Sequence, residues 1–204
     1  NDADGNAIPF PDDATYEAAV AAGETLDRDD WRRQNVDRFV ERLYRQTKAA
    51  KPSVQVGISP FGIWRPGHPA GVVGFDQYAS LYADARKWLQ EGWVDYFSPQ
   101  LYWSVDSKGQ SFPALLAWWH EQNVKQKQLW PGLFTSRIAD GSQRSWKADE
   151  IVRQIQAVRA ADSPGGHIHF SMKAIQANRD GIRDRLKNEI YATEKAPADS
   201  ATSQ

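Results

Sequence analysis

The sequence predicts an α/β fold built from parallel β/α units, and three observations predict it. Four apolar segments, at 54–65, 94–103, 129–135 and 167–173, each close in Pro, Ser or Thr beside aromatic residues. A stretch of helical periodicity separates each from the next, and strands alternating with helices argue for parallel pairing. The 204 residues are 41% hydrophobic with a formal charge of -1, which suits a single buried core. In such folds ligands bind beyond the carboxyl ends of the strands, so the aromatic and polar closings are the candidate site.

Each element follows in order. Residues 1–12, rich in Pro, Asp and Gly, read as a loop. Its start, Asp2-Ala3-Asp4-Gly5-Asn6, hints at a calcium loop. However, Ala7 stands where Gly is required and Asp13 where Glu is, so a turn is the better reading. Asp13 caps a short helix to about Ala22. The long helix 28–50 carries Val36, Phe39, Val40, Leu43, Tyr44 and Thr47 at 3.6-residue spacing as its buried stripe. Its opposite face, with Asp37, Arg38, Glu41, Arg42 and Arg45, is expected in solvent. A strand at 53–59 and a Pro/Gly loop at 65–71 precede a helix at 75–91, which buries Tyr78, Leu81, Tyr82, Ala85, Trp88 and Leu89. Gly92 ends that helix.

A strand at 94–101 leads to a helix at 111–122 with Phe112, Leu115, Leu116 and Trp119 inward. A strand at 128–134 leads to a helix at 147–161 with Ile151, Ile155 and Val158 inward. The last strand, 167–171, precedes a helix at 179–191 carrying Ile182, Leu186 and Ile190. From Thr193 the composition loses all periodicity, which predicts one domain over 1–192 and a disordered tail at 193–204. Four strands are half the number in a closed (β/α)8 barrel, and half a barrel leaves two open sheet edges. The pattern alone leaves two architectures open: a barrel whose other strands lie upstream, or a small open sheet.

Composition narrows the function. The near-neutral charge gives no electrostatic case for nucleic acid. The absence of cysteine removes disulfides, zinc–thiolate sites and cysteine nucleophiles. No apolar stretch approaches the length of a membrane span, and no signal peptide is visible at the start. Residues 1–6 look like the middle of a loop, so the chain reads as starting inside a longer polypeptide.

Four segments carry a resemblance. They are Asp30-Trp31-Arg32-Arg33-Gln34-Asn35-Val36, Gly57-Ile58-Ser59-Pro60-Phe61-Gly62-Ile63-Trp64-Arg65, Trp93-Val94-Asp95-Tyr96-Phe97-Ser98-Pro99-Gln100-Leu101-Tyr102-Trp103 and Ile168-His169-Phe170-Ser171-Met172-Lys173. In order and register, from about Ile8 to Tyr191, they resemble the C-terminal half of the bacterial glycosyl-hydrolase-like family 10 proteins. The resemblance implies a (β/α)8 TIM-type barrel of which this chain supplies strands five to eight. It also implies an exported protein, whether periplasmic, lipoprotein-anchored or secreted. That protein would hydrolyse O-glycosyl bonds of a bacterial cell-wall or related polysaccharide, such as peptidoglycan stripped of its peptides, without a cofactor. Its expected partners are the polysaccharide and either the missing N-terminal barrel half or a second copy of the chain. The alternative is a non-catalytic glycan-binding or scaffold barrel.

Glycoside hydrolysis normally needs two carboxyl groups flanking the scissile bond. None stands at a strand end here, so the catalytic acids are expected upstream of Asn1 and the chain alone is expected to be inactive. The ends present Ser59, Phe61, Trp64 and Arg65, then Gln100, Tyr102 and Trp103, then Phe134 and Thr135, then Ser171, Met172 and Lys173. Of these, Ser59, Phe61, Trp64, Arg65, Gln100, Tyr102, Trp103, Thr135 and Lys173 are the expected substrate-binding residues. Trp64 and Trp103 lie beside polar groups, where a ring can stack on a sugar while Arg65 or Gln100 bonds its hydroxyls. Tyr102 divides evenly between the site and the packed layers, and Phe61 and Phe134 lean toward the core. Trp31, Trp88, Trp93 and Trp119 read as packing residues. Asp95, at the amino end of its strand, reads as structural. His167 and His169 share one strand face and could bind a metal, but no third ligand lies near in sequence, so a structural role is preferred. Ser59 and Ser98 lack the Gly-x-Ser-x-Gly context of a hydrolase nucleophile.

Overall fold

The computed structural model describes Ile8 and residues 10–161 and 166–192. The expected loop at 1–7 and the expected tail from 193 lie outside the described residues. Five short strands form the sheet: β1 (Gly57–Ile58), β2 (Tyr96–Phe97), β3 (Gln128–Leu129), β4 (Gly132–Leu133) and β5 (Ile168–His169). All pairs are parallel. Gly57 is opposite Tyr96, Phe97 opposite Leu129, and Gly132 opposite Ile168. Gln100 bridges both Phe61 and Gly132, which joins the β1–β2–β3 sheet to the β4–β5 pair.

β3 and β4 are one extended segment interrupted at Trp130-Pro131. Four parallel segments therefore lie side by side in chain order. The Trp130 N–H donates to Phe97 O at 2.8 Å, Gly132 N–H to Pro99 O at 2.9 Å, and Phe170 N–H to Leu133 O at 2.8 Å. Regular pairing is shorter than the expected 53–59, 94–101 and 128–134 because Pro60, Pro99 and Pro131 have no N–H to donate to a ladder.

The helices surround this sheet. α1 (Asp13–Ala21) is followed by α2 (Arg28–Ala50), which starts where the Asp27 side chain accepts the Asp30 N–H at 2.8 Å. On α2 the buried residues are Trp31, Asp37 and Val40, while Phe39 and Leu43 are about half exposed. The expected stripe is thus only partly covered. Asp37, expected in solvent, is buried between α2 and α4, where it accepts from Trp88 Nε1 at 2.6 Å and Lys87 Nζ at 2.7 Å.

The single helix expected at 75–91 is two helices, α3 (Gln77–Ser80) and α4 (Ala85–Glu91). Asp76 caps the first through the Ala79 N–H, and Asp84 caps the second through the Lys87 N–H. Between them Tyr82 takes a left-handed φ of 54°, which a continuous helix cannot contain. Two aspartate caps eight residues apart outweigh the apolar periodicity, and Leu81 is left exposed. Gly92 ends α4 with φ 77°.

α5 (Phe112–Gln122) and α6 (Ala148–Ala160) bury the faces expected of them. After β5, a short helix not anticipated from sequence, α7 (Met172–Gln176), precedes α8 (Ile182–Arg185), which runs on into a π-helical turn at Leu186–Ile190. Asn178 and Asp180, both left-handed, delay α8 from its expected start.

The core lies between the sheet and the helices. Phe97, Leu101, Leu115, Trp119, Leu129, Leu133, Ile151 and Ile155 are completely buried there. Among the described residues, no helix is long and apolar enough to cross a membrane.

Candidate functional site

Side chains alternate across a strand, so residues flanking the buried ones point to the opposite, inner face. There Gly57, Ser59, Tyr96, Ser98, Gly132, Ile168 and Phe170 line a concavity of about 230 Å³. The glycines make room for aromatic rings. A Cβ at Gly57 would penetrate the Tyr96 ring, and one at Gly132 would press on the Tyr102 ring at 3.1 Å. Tyr96 stacks on Trp130, with centroids 4.8 Å apart. Tyr102 stacks on both Phe134 (5.0 Å) and Phe170 (5.5 Å), which lie 5.9 Å from each other, so the carboxyl ends of β2, β4 and β5 meet in one aromatic layer. Burial there raises the Tyr102 phenol above its ordinary pKa.

Beside this layer is a second cleft of about 430 Å³. Tyr102, Trp103, Phe134 and Trp146 supply aromatic walls, Ser104, Ser107 and Gln110 hydroxyl and amide groups, and Arg137 and Arg144 two cations. The loop after β4 builds one side. A 3-10 turn at Thr135–Arg137 turns the chain outward. The Trp146 N–H then donates to Arg137 O at 2.9 Å, and Ala139 N–H to Trp146 O at 3.2 Å, closing residues 137–146 on themselves. Asp140 accepts from both the N–H and the hydroxyl of Ser142. The loop after β2 builds the other side and is fastened to α6. The Val105 N–H donates to Glu150 at 2.7 Å, Gln154 Nε2 to Trp103 O at 3.1 Å, and Arg153 to Asp106 at 2.7 and 3.0 Å.

The structure brings some of the expected residues together and separates others. Tyr102 and Trp103 share the cleft, and Ser59 and Tyr102 share the concavity. Gln100 donates to Ser59 O at 3.1 Å, and half-exposed Phe61 lies on Phe75.

Trp64 is a correction. It is 7% exposed, stacked on Trp118 at 5.9 Å, covered by the Arg86 guanidinium at 4.5 Å, and donates its Nε1 to Asp84. It has no free ring face to offer a sugar, because the loop after β1 folds back under α5. Arg65 follows it, ion-paired to Asp76 at 3.3 Å and lying over Tyr78. Thr135 is likewise fully buried, with its hydroxyl 2.7 Å from His169 Nδ1, and cannot reach a ligand without rearrangement. Lys173 is exposed on the first turn of α7, outside both depressions.

Sequence reasoning missed Arg137, Arg144 and Trp146. The signal available was two arginines and a tryptophan within a Gly/Ser loop directly after a strand end. It also weighted Phe134 toward the core, whereas that ring forms part of the cleft wall.

No carboxylate lines either depression. Asp95 sits at the opposite end of the sheet, accepting from Val56 N–H (2.8 Å), Lys48 Nζ (3.0 Å) and Tyr44 OH (3.3 Å). Burial pushes its pKa up, but those hydrogen bonds win and hold it below the ordinary value. His167 meets Tyr191 near the C-terminal helices, whereas His169 contacts Thr135 and borders the concavity. His167 Nε2 lies 2.8 Å from Tyr191 OH, and burial pushes both rings down to about 4. Among the described residues, no three metal-ligating side chains come close enough to hold an ion.

Comparison with known proteins gives a consistent placement. The family model described as Glycosyl hydrolase-like 10 matches residues 5–160. The chain is 38% identical over 190 residues to the glycosyl hydrolase YngK of Bacillus subtilis, covering 90% of this chain and 37% of that protein. It is 34% identical over 159 residues to the glycosyl hydrolase DigH of Escherichia coli K12, covering 72% of this chain and 36% of that protein. The same figures hold for DigH of Shigella flexneri. The chain therefore spans a little over a third of the length of these relatives. By the family match and these identities, it belongs to the Glycosyl hydrolase-like 10 family.

Proposed function

We propose that this chain is the carboxyl-terminal half of a (β/α)8 barrel in a glycoside hydrolase of an exported bacterial protein that acts on a cell-wall or related polysaccharide. This half grips the sugar, and the carboxyl groups that break the bond stand on the other half. The observation that carries the reading is the inner face of the sheet. Four parallel segments in chain order present aromatic rings and small polar groups at their carboxyl ends, with no acid among them. That face is unfinished: Ile168 is 40% and Phe170 50% exposed. In a closed barrel such positions are filled by layers of side chains from all eight strands. The half-covered Phe39 and Leu43 on α2 fit a further helix packing alongside.

Division of labour follows from the chemistry. Stacking rings and hydroxyl or amide donors supply sugar affinity. A general acid with a nucleophile or base must still be placed about 5–9.5 Å apart across the bond. The decisive measurement is reducing-end release from peptide-free glycan strands. The chain alone should release none. The same chain supplied with the other barrel half should restore release. Hydrolysis by the chain alone would overturn the split. A completed barrel that binds glycan without cutting it would favour a binding or scaffold role instead.

A further inference from the structure

Resting on the glycan reading above, we propose that the cleft between the loops following β2 and β4 is a subsite for a sugar carrying a carboxylate, with Arg137 and Arg144 as its partners. The cleft is lined by two guanidinium groups and no acid. The acids nearest to it in sequence are already engaged. Asp106 is held by both terminal nitrogens of Arg153, and Glu150 by the Val105 N–H and Gln154. Among the described residues, Asp140 is the one carboxylate ion-paired to either cation. It accepts from Ser142 and forms an ion pair with Arg137 at 3.7 Å, longer than a hydrogen bond.

Arg137 donates its Nε to Arg144 O at 3.1 Å, which fixes its side chain against the loop. The Arg144 guanidinium has no carboxylate partner among the described residues.

Arg137 has only the 3.7 Å ion pair with Asp140, and Arg144 stands exposed beside the cleft, so both guanidinium groups keep N–H donors for an incoming anion. Guanidinium forks match a carboxylate in two-point geometry. The aromatic walls formed by Tyr102, Trp103 and Trp146 supply the stacking surface for the ring that bears it. The volume of about 430 Å³ falls in the range of small-molecule sites. A neutral hexose would use the walls and the Gln110 and Ser104 groups but offer neither guanidinium an anion. A sugar carboxylate has two sources in polysaccharides, a uronic acid ring and the lactyl ether of muramic acid, and the chemistry of the cleft is common to both.

Titration calorimetry of the 204-residue chain separates the possibilities. The ligands are a neutral chitin tetrasaccharide, a glucuronate-containing tetrasaccharide and a peptide-free peptidoglycan oligosaccharide of the same length. At least one acidic ligand should bind about tenfold or more tightly than the neutral one, with added salt weakening that advantage. Whichever acidic ligand is favoured identifies the source, and equal binding of both identifies the shared carboxylate. Arg144→Gln and Arg137→Gln, both confirmed folded by circular dichroism, should each bring the acidic affinity down toward the neutral one. Equal affinity for all three ligands, or a preference that survives both substitutions, would overturn the subsite while leaving the glycan reading intact. Failure to bind any of the three would overturn the glycan reading and this inference with it.

Discussion

The two faces of one sheet behave as though they belonged to proteins of different completeness. Leu133 on β4 points to the helices and is 0% exposed, whereas Ile168, whose strand pairs with β4 one residue earlier at Gly132, is 40% exposed on the inner side. Phe97 and Leu129 are sealed in the same way against Trp119 and its neighbours. Opposite them Tyr96 stacks on Trp130, and Tyr102 on Phe134 and Phe170, beside the open concavity. The helix-facing side therefore carries most of the stabilisation and needs nothing from outside. The inner side has its aromatic layer in place but lacks a lid of packed side chains. A single strand period of two residues separates a finished core from an unfinished one.

The comparison predicts its largest effect on the finished face. Leu133→Ala should cost about 2–5 kcal/mol, because a fully buried leucine leaves a cavity that the surrounding layer cannot collapse into. Equilibrium unfolding in urea measures it. A cost below about 1 kcal/mol would mean that the helix layer is looser than its burial implies.

A smaller, pH-dependent effect comes through His167 and His169 in the last strand segment. Burial comes first in holding both down to about 4, and for His167 the neighbouring His169 and Arg159 add to it. The native state keeps both rings neutral, while an unfolded histidine takes up a proton near pH 6.5. Between about pH 6.5 and 4 the unfolded chain therefore binds more protons. Stability should be complete above about pH 6.5 and fall as the pH drops toward 4, by no more than about 1.4 kcal/mol per pH unit for each ring. The check is the pH dependence of the urea midpoint. Substituting both histidines by glutamine should flatten it, and an unchanged slope would locate the acid sensitivity elsewhere.

Much of this organisation was legible in the sequence because it rests on period. The parallel strand order, the inward faces of α5 and α6, and the end of α4 at Gly92 follow from spacing and from one residue with no side-chain penalty at positive φ. What was not legible depends on long-range packing. Asp37 looks like part of a charged surface until Trp88 and Lys87 arrive from 51 and 50 residues away. Trp64 looks like a sugar platform until Trp118 covers it. The division of helix 75–91 was legible in principle, since Asp76 and Asp84 are strong caps, but apolar periodicity masked them. The cleft eluded spacing arguments because its cations lie in a loop, where no period constrains the residues. Only the hydrogen bonds within 137–146 bring Arg137, Arg144 and Trp146 to the wall opposite Tyr102 and Trp103.

The smallest effect is the most discriminating one. Ile168→Thr removes apolar surface from the inner face but opens no cavity in a packed layer. In the chain by itself it should change stability by about 0.5 kcal/mol or less, as an ordinary surface substitution does. If the inner face belongs to a barrel completed by another segment, the same substitution in the completed barrel should cost about 1–3 kcal/mol. There the threonine hydroxyl would enter an apolar layer without a partner. Urea unfolding of the two forms side by side measures the difference. A large cost in the chain alone would show that something already covers this face, and light scattering would tell whether a second copy does so. An equally small cost in both forms would mean that the inner face stays open to water in the whole protein, which a barrel filled with side chains does not permit.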